Sequence, residues 1–231
     1  MVMPLSPLRF IARRVLLLAG FASFAPAVVA GPLHAQSDLG AHPLESASAL
    51  YAGLETFCMD FRQRLEVPLL DEVHMSSGRL CQRSPDRIRM DFSDPAGDVV
   101  VGDGEYLWVF LPSAEPGQVI RFSLESAEGA FDVRKEFLED PLTKYEVEDR
   151  GTEEIDGRPA HEFALAPRER ARYQSAVVWV DEVTHHLRQV EIVDVSGAIR
   201  RLTFSALDAA PNLAEGAFTF LVPAGVRVVA R

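Results

Sequence analysis

From Arg87 onward the apolar residues come in short runs cut by Gly, Pro and Asp, a rhythm that favours many strands over long helices. The clearest run is Arg87 to Phe92. There Ile88, Met90 and Phe92 alternate with Arg87, Arg89 and Asp91, so an extended backbone has one apolar and one charged face. Val99-Val100-Val101, then Gly102-Asp103-Gly104, then Tyr106 to Leu111 reads as a hairpin, because Asp-Gly accommodates the positive φ angles of a tight turn. Further strands are expected over 117–122, 144–150, 159–166, 175–182, 186–195 and 198–206, with short pieces near 218–220 and 226–229. Asp156-Gly157 and Ser196-Gly197 mark two of the turns.

Two helices are expected among these strands. Between Pro43 and Leu65, the residues Leu50, Leu54, Phe57, Phe61 and Leu65 recur at three and four, which is one helical face. Between Ala130 and Asp140, Ala130, Val133 and Phe137 share a face with Phe131 and Leu138 beside it, while Asp132, Arg134, Lys135 and Glu136 point away. Cys58 then falls in a helix and Cys81 in a strand. A disulfide between them would staple helix to sheet; two buried free thiols are the alternative.

The first thirty or so residues have the layout of a secretory signal: basic Arg9, Arg13 and Arg14, an apolar run from Val15 to Ala30, then small residues. Cleavage is expected after Ala30 or Ala35, leaving 36–231 as a single domain with no internal repeat. Arg13-Arg14 hints at twin-arginine export, and an uncleaved anchor is the alternative to cleavage. Pro26 breaks the apolar stretch, which is short of the roughly 20 residues a spanning helix needs. No cysteine sits where a lipid anchor would be attached, so an exported, freely diffusing periplasmic protein is expected. Losing three arginines and no acid takes the net charge from −11 to −14. That acidity argues against nucleic acid as a partner and against resting on an anionic bilayer.

Catalytic motifs are missing. There is no Gly-x-Ser-x-Gly elbow, phosphate loop or dinucleotide fingerprint, and none of the six histidines has a metal-binding spacing. His185-His186 lies at an expected turn, where adjacent side chains diverge. The chain reads as a non-enzyme without cofactor or metal; His161 and Glu162 are the polar pair on which loss of turnover would argue otherwise.

Three blocks resemble the outer-membrane lipoprotein carrier (LolA-like) family. Phe57-Cys58-Met59-Asp60-Phe61-Arg62-Gln63 is similar to its pattern of two phenylalanines four apart followed by glutamine, assigned there to a first helix. Gly78-Arg79-Leu80, then Pro85 through Phe92 to Pro95, resembles its glycine, proline, alternating strand and second proline. Val99 to Pro112 resembles its valine-rich arm, Asp-Gly turn and Leu-Trp arm. Weaker echoes are Leu165-Ala166-Pro167, Phe218-Thr219-Phe220 and Pro223-Ala224-Gly225-Val226.

The resemblance implies a mainly β fold with helices (α+β): an unclosed antiparallel half-barrel of about eleven strands, with a helical lid over its concave apolar face. It implies a monomeric periplasmic carrier that takes acylated lipoproteins from an inner-membrane ABC-type extruder to an outer-membrane receptor. Ile88, Met90 and Phe92 would line the groove with Trp108 and Phe110 as neighbours. Leu54, Phe57 and Phe61 would face it from the first helix, and Phe131, Phe137 and Leu138 would belong to the lid. Ile88 matches the family's apolar position near the groove mouth, where the extruder docks. The family places a lid-holding arginine directly before the strand's first proline; here Ser84 stands there and Arg83 is the nearest arginine. Rival readings keep the fold and change the role, to a carrier of glycolipid or another lipid, or to an envelope-stress sensor domain.

Overall fold

A computed structural model describes residues 42–124 and 132–231, so the segment expected to direct export, Ala130 and Phe131 lie outside the described residues. Two meanders make up the sheet. The first runs β1 (Thr56–Val67), β2 (Glu72–Arg83), β3 (Arg87–Asp94), β4 (Ala96–Asp103), β5 (Tyr106–Phe110) and β6 (Gln118–Ser123). The second runs β7 (Tyr145–Ile155), β8 (Arg158–Pro167), β9 (Tyr173–Asp181), β10 (Leu187–Asp194) and β11 (Ile199–Asp208). Antiparallel pairing of β1 with β11 joins the two, and β12 (Arg227–Ala230) adds to β6 in parallel. The sheet has twelve strands, one more than expected, with β12 and β7 at its two edges, so it does not close.

The turns follow from their residues. Asp156 and Gly157 take φ of 50° and 75°, the paired positive values of a two-residue hairpin loop. At the β4–β5 turn Gly104 has φ 98°, and Asp103 Oδ1 accepts the N–H groups of Glu105 and Tyr106. Gly102 serves packing instead: a Cβ there would lie 2.6 Å from Ile88 Cγ2.

Two short helices, α1 (Pro43–Ala52) and α2 (Val133–Phe137), contribute to one face of the sheet, and a one-turn helix, α3 (Pro141–Lys144), leads into β7. The expected helix over Pro43–Leu65 is half right. It stops at Ala52, with Gly53 as its C-cap, and the remainder is β1. Phe57 and Phe61 are four apart, a spacing that fits one helical face and equally one strand face. Met59, buried between them, decides for the strand. The second helix is likewise shorter than expected, ending before Asp140, whose φ of 49° separates it from α3. Phe218–Phe220 is an irregular segment and not a strand.

A flat sheet of twelve strands is roughly 50 Å wide, whereas α1, with ten residues, is about 15 Å long. Nevertheless Leu107 of β5, Tyr145 at the start of β7 and the helices share one contiguous apolar cluster. The sheet therefore wraps its helices as a half-barrel.

The outer face has its own packing. Cys58 and Cys81 are directly opposed on β1 and β2 and form a disulfide, so the bridge ties strand to strand and not, as the sequence suggested, helix to sheet. Phe218 packs beside it, Arg83 lies 4.9 Å over the Phe218 ring, and Arg89 donates to the Ala217 carbonyl. Phe220 stacks on Trp108 at 5.5 Å. The segment before β12 is thus a strap across the outside.

Two features generate tests. At the β2–β3 bulge a Cβ on Gly78 would sit 2.1 Å from the Asp91 carbonyl oxygen, a backbone atom with little freedom to move. Gly78→Ala is expected to lower stability by about 1–3 kcal/mol in urea denaturation. Asp181, 1% exposed, accepts two hydrogen bonds from Arg158 and the N–H groups of Val183 and Thr184. Burial pushes its carboxyl up, but these bonds outweigh it and hold the pKa well below the ordinary carboxylate range. A depressed carboxylate stabilises fully above its unfolded pKa of about 4 and loses that contribution as pH falls through the folded value. Asp181→Asn should therefore be less stable by about 1–3 kcal/mol at neutral pH, with the gap in thermal melts closing as the medium becomes strongly acid.

Candidate functional site

The inner face is built by register. On β1, Phe57, Met59 and Phe61 point inward; Met59 opposes Leu80, Leu80 opposes Met90, and Met90 opposes Val100. On the other side Phe61 opposes Phe204, while Leu202 opposes Val190 and Val190 opposes Val178. An unbroken apolar belt thus crosses the joint between the two meanders. Phe92 closes edge-on against Phe61 at 5.2 Å.

Helices cover this belt. From α1, Leu44, Ala47 and Tyr51 are fully buried. Tyr51 meets Phe57 edge-on at 5.1 Å, and its hydroxyl accepts the Leu187 N–H at 3.2 Å. Burial pushes that hydroxyl's pKa up to about 12, so it stays neutral. From the α2 region Val133, Phe137 and Leu138 are buried in the same cluster.

Polar contacts hold α2 at both ends. Arg134 Nη1 donates to Ser84 Oγ at 2.6 Å and to the Leu54 carbonyl at 3.4 Å, and Nη2 reaches the Pro85 carbonyl at 3.5 Å. Gln82 Nε2 donates to Asp132 Oδ1 at 2.7 Å, and Asp132 also caps the helix by accepting the Lys135 N–H. Lys135 lies 3.6 Å from Asp86. On the far side Glu136 Oε1 accepts from Tyr145 and Tyr173, whose hydroxyls are 2.6 Å apart. Burial, first of all, pushes both tyrosine pKa values well above the ordinary range, so both remain donors at physiological pH.

The predicted site residues divide accordingly. Phe57, Phe61, Ile88, Met90, Phe137 and Leu138 are brought together, none more than 3% exposed. Leu54 and Phe92 are half-buried at the margin of the same cluster. Trp108 and Phe110 are not neighbours of this group. Trp108 opposes Val101, one residue out of phase with inward Val100, so both aromatics face outward against Phe220. The one-residue period of a strand separates them from Leu107 and Val109, which do face inward. Phe131 lies outside the described residues.

Arg83 is no lid latch either. It points outward to Phe218, and its Nε donates to Thr56 Oγ1. Ser84 does take part, as acceptor. The arginine is on the helix and the hydroxyl on the sheet rim. Sequence reasoning assigned Arg134 to a solvent face; its one signal was Ser84, a hydrogen-bonding side chain where the resemblance implies an arginine. His161 lies 3.5 Å from Glu182, and Glu162 pairs with Arg150.

The family model described as outer membrane lipoprotein carrier protein LolA matches residues 52–221. The chain belongs to this family. The LolA-family chain is 28% identical over 210 residues to the outer-membrane lipoprotein carrier protein of Methylibium petroleiphilum, covering 88% of this chain and 94% of that one. It is 26% identical over 195 residues to the protein of the same name from Methylobacillus flagellatus, covering 80% and 88%. A solved structure, an uncharacterized conserved protein from Thermus thermophilus, aligns at 10% identity with a TM-score of 0.51, over 81% of this chain and 97% of that one. At that identity the likeness concerns the fold alone. It fits the unclosed, mostly β architecture.

Removing one fastener should loosen α2 without unfolding the sheet. Arg134→Ala and Tyr173→Phe are each expected to weaken the helix by about 1 kcal/mol. Amide exchange of 133–138 should accelerate several-fold, with exchange in β1 and β11 unchanged.

Proposed function

We propose that the chain is an exported periplasmic carrier whose inner face shields the acyl chains of lipoproteins between an inner-membrane extruder and an outer-membrane receptor. Family membership supports the class, and one observation carries the mechanism. A continuous apolar belt is covered by a helix that side-chain hydrogen bonds fasten at its two ends. The disulfide, on the outer face, leaves that helix free to move.

The energetics match a reversible cover. Exposing Val133, Phe137 and Leu138 costs at most ~1.5–3 kcal/mol each. Each methylene that takes their place returns ~0.8 kcal/mol, so roughly ten methylenes offset the opened lid. A long acyl chain exceeds that, and the re-closing helix supplies a drive for release.

In this reading residues 1–35 are a signal removed on export, and 36–231 form one carrier domain. Among the described residues no helix is long and apolar enough to cross a membrane. The exposed start of β3 beside buried Ile88 is where the extruder docks. The chain performs no catalysis; its work is binding and release.

The test is to purify the protein from cell envelopes and identify what accompanies it by mass spectrometry. Triacylated lipoprotein is expected, together with an ability to strip lipoprotein from inner-membrane vesicles. A free lipid in its place would transfer the reading to a lipid carrier of the same fold. A protein that is reproducibly empty and inert toward vesicles would overturn both.

A further inference from the structure

Water-facing apolar side chains gather at one end of the sheet. Pairing is antiparallel through both meanders and across their joint, so the β1–β2, β8–β9 and β10–β11 connections leave the same end, remote from Ser84. Among the described residues, the large apolar side chains left exposed include Leu69 at 82%, Leu70 at 64% and Val195 at 69%, all on these connections. Val73 and Met75 follow on β2, each at least half exposed. Glu66 of β1 opposes Ile199 of β11, which brings the turn carrying Val195 beside the one carrying the leucines.

The β1–β2 tip projects. β2 pairs with β3 only as far as Ser77, whereas its pairing with β1 continues to Glu72, so 72–76 and the single helical turn Pro68–Leu70 extend past β3. A tight connection is ordinarily built from Gly, Asn, Asp or Ser, and an open edge ordinarily carries charge. Here two consecutive leucines stand in water at the apex. The flanking acids are engaged locally, Glu66 by Arg64 at 2.7 Å and Glu72 by His74 at 3.0 Å. A projecting tip of this size falls short of a stable protein interface, which takes about 800 Å² from each partner. A bilayer sets no such requirement: it closes around whatever apolar side chains enter it, and the attraction scales with their area.

We infer that this end of the half-barrel docks on a phospholipid bilayer, with Leu69 and Leu70 entering its interfacial layer and Val195 beside them. The exposed Arg168, Arg170 and Arg172 on the β8–β9 connection suit the phosphate layer that every phospholipid presents. The net charge of −11 opposes an anionic surface, so the apolar tip, and not charge, carries the contact. The same end holds a cavity of about 860 Å³, lined by Leu65 and Ile192 of the inner face together with residues of the β8–β9 and β10–β11 connections. Docking there sets the cavity against the lipid. The contact goes beyond the carrier function proposed above and does not rest on it, since it is a property of this chain and lipid alone.

The test uses purified, cargo-free protein and vesicles of phosphatidylcholine, which carry no net charge. The protein should co-sediment with them, and salt at about 1 M should leave the affinity within about twofold, because screening acts on charge and not on apolar burial. Combined Leu69→Ser and Leu70→Ser changes should weaken binding about tenfold or more, with the melt unchanged because both side chains are exposed. Val183→Ser, on the β9–β10 turn at the opposite end and 76% exposed, should bind like the native chain. Fluorescence gained in Leu69→Trp should be quenched by phosphatidylcholine brominated in its acyl chains, and that gained in Val183→Trp should not. Native protein that ignores the vesicles, binding abolished by salt, or equal effects at the two ends would each overturn the inference. Binding confined to native envelope vesicles and lost after protease treatment would make the occupant a membrane protein and overturn it too. Lipoprotein carriage by a protein that ignores lipid vesicles would remove this docking and leave the carrier function standing.

Discussion

The structure depends on burying one apolar face with elements too short to hold it permanently. Among the described residues, twelve strands curl around α1 and α2, of ten and five residues. Isolated helices of five or ten residues have little stability of their own in water. Their order comes from the belt they cover, so whatever competes for the belt competes for the helices.

The two faces divide the labour. Outside, a disulfide, a stacked aromatic strap and the β12 addition fix the strands to each other. Inside, α2 is held by hydrogen bonds, water-exposed from Arg134 to Ser84 and part-buried from Tyr145 and Tyr173 to Glu136, each with a net contribution of about 1 kcal/mol. The sheet and the helices over it are therefore held by different interactions. Arg134 illustrates it: its guanidinium donates to the exposed Ser84 hydroxyl and to two backbone carbonyls, with no apolar partner in those contacts.

Much of the sheet was legible because a strand with one wet face writes its period into the residues. Ile88, Met90 and Phe92 announced both the strand and its inner side, and Asp156-Gly157 announced its turn. Phe57 and Phe61 misled because a spacing of four satisfies both periods, and the partner that settles it, Leu80 opposite Met59, comes from another strand. Trp108 and Phe110 misled for a related reason. β5 is apolar on both faces, so no alternation tells which side is inner until its register with β4 is known.

By itself the sequence determined the class of the molecule: a strand-rich domain, an acidic composition and the motifs of its family. These are local properties, carried by composition, period and turn chemistry. Tertiary structure alone decided which faces meet. It moved Cys58 from helix to strand, turned Arg83 outward, set Arg134 of α2 against Ser84 and put Arg200 on the inner side of β11. Each of those depends on pairing between residues far apart in the chain, and a one-residue change of register sends a side chain to the opposite face.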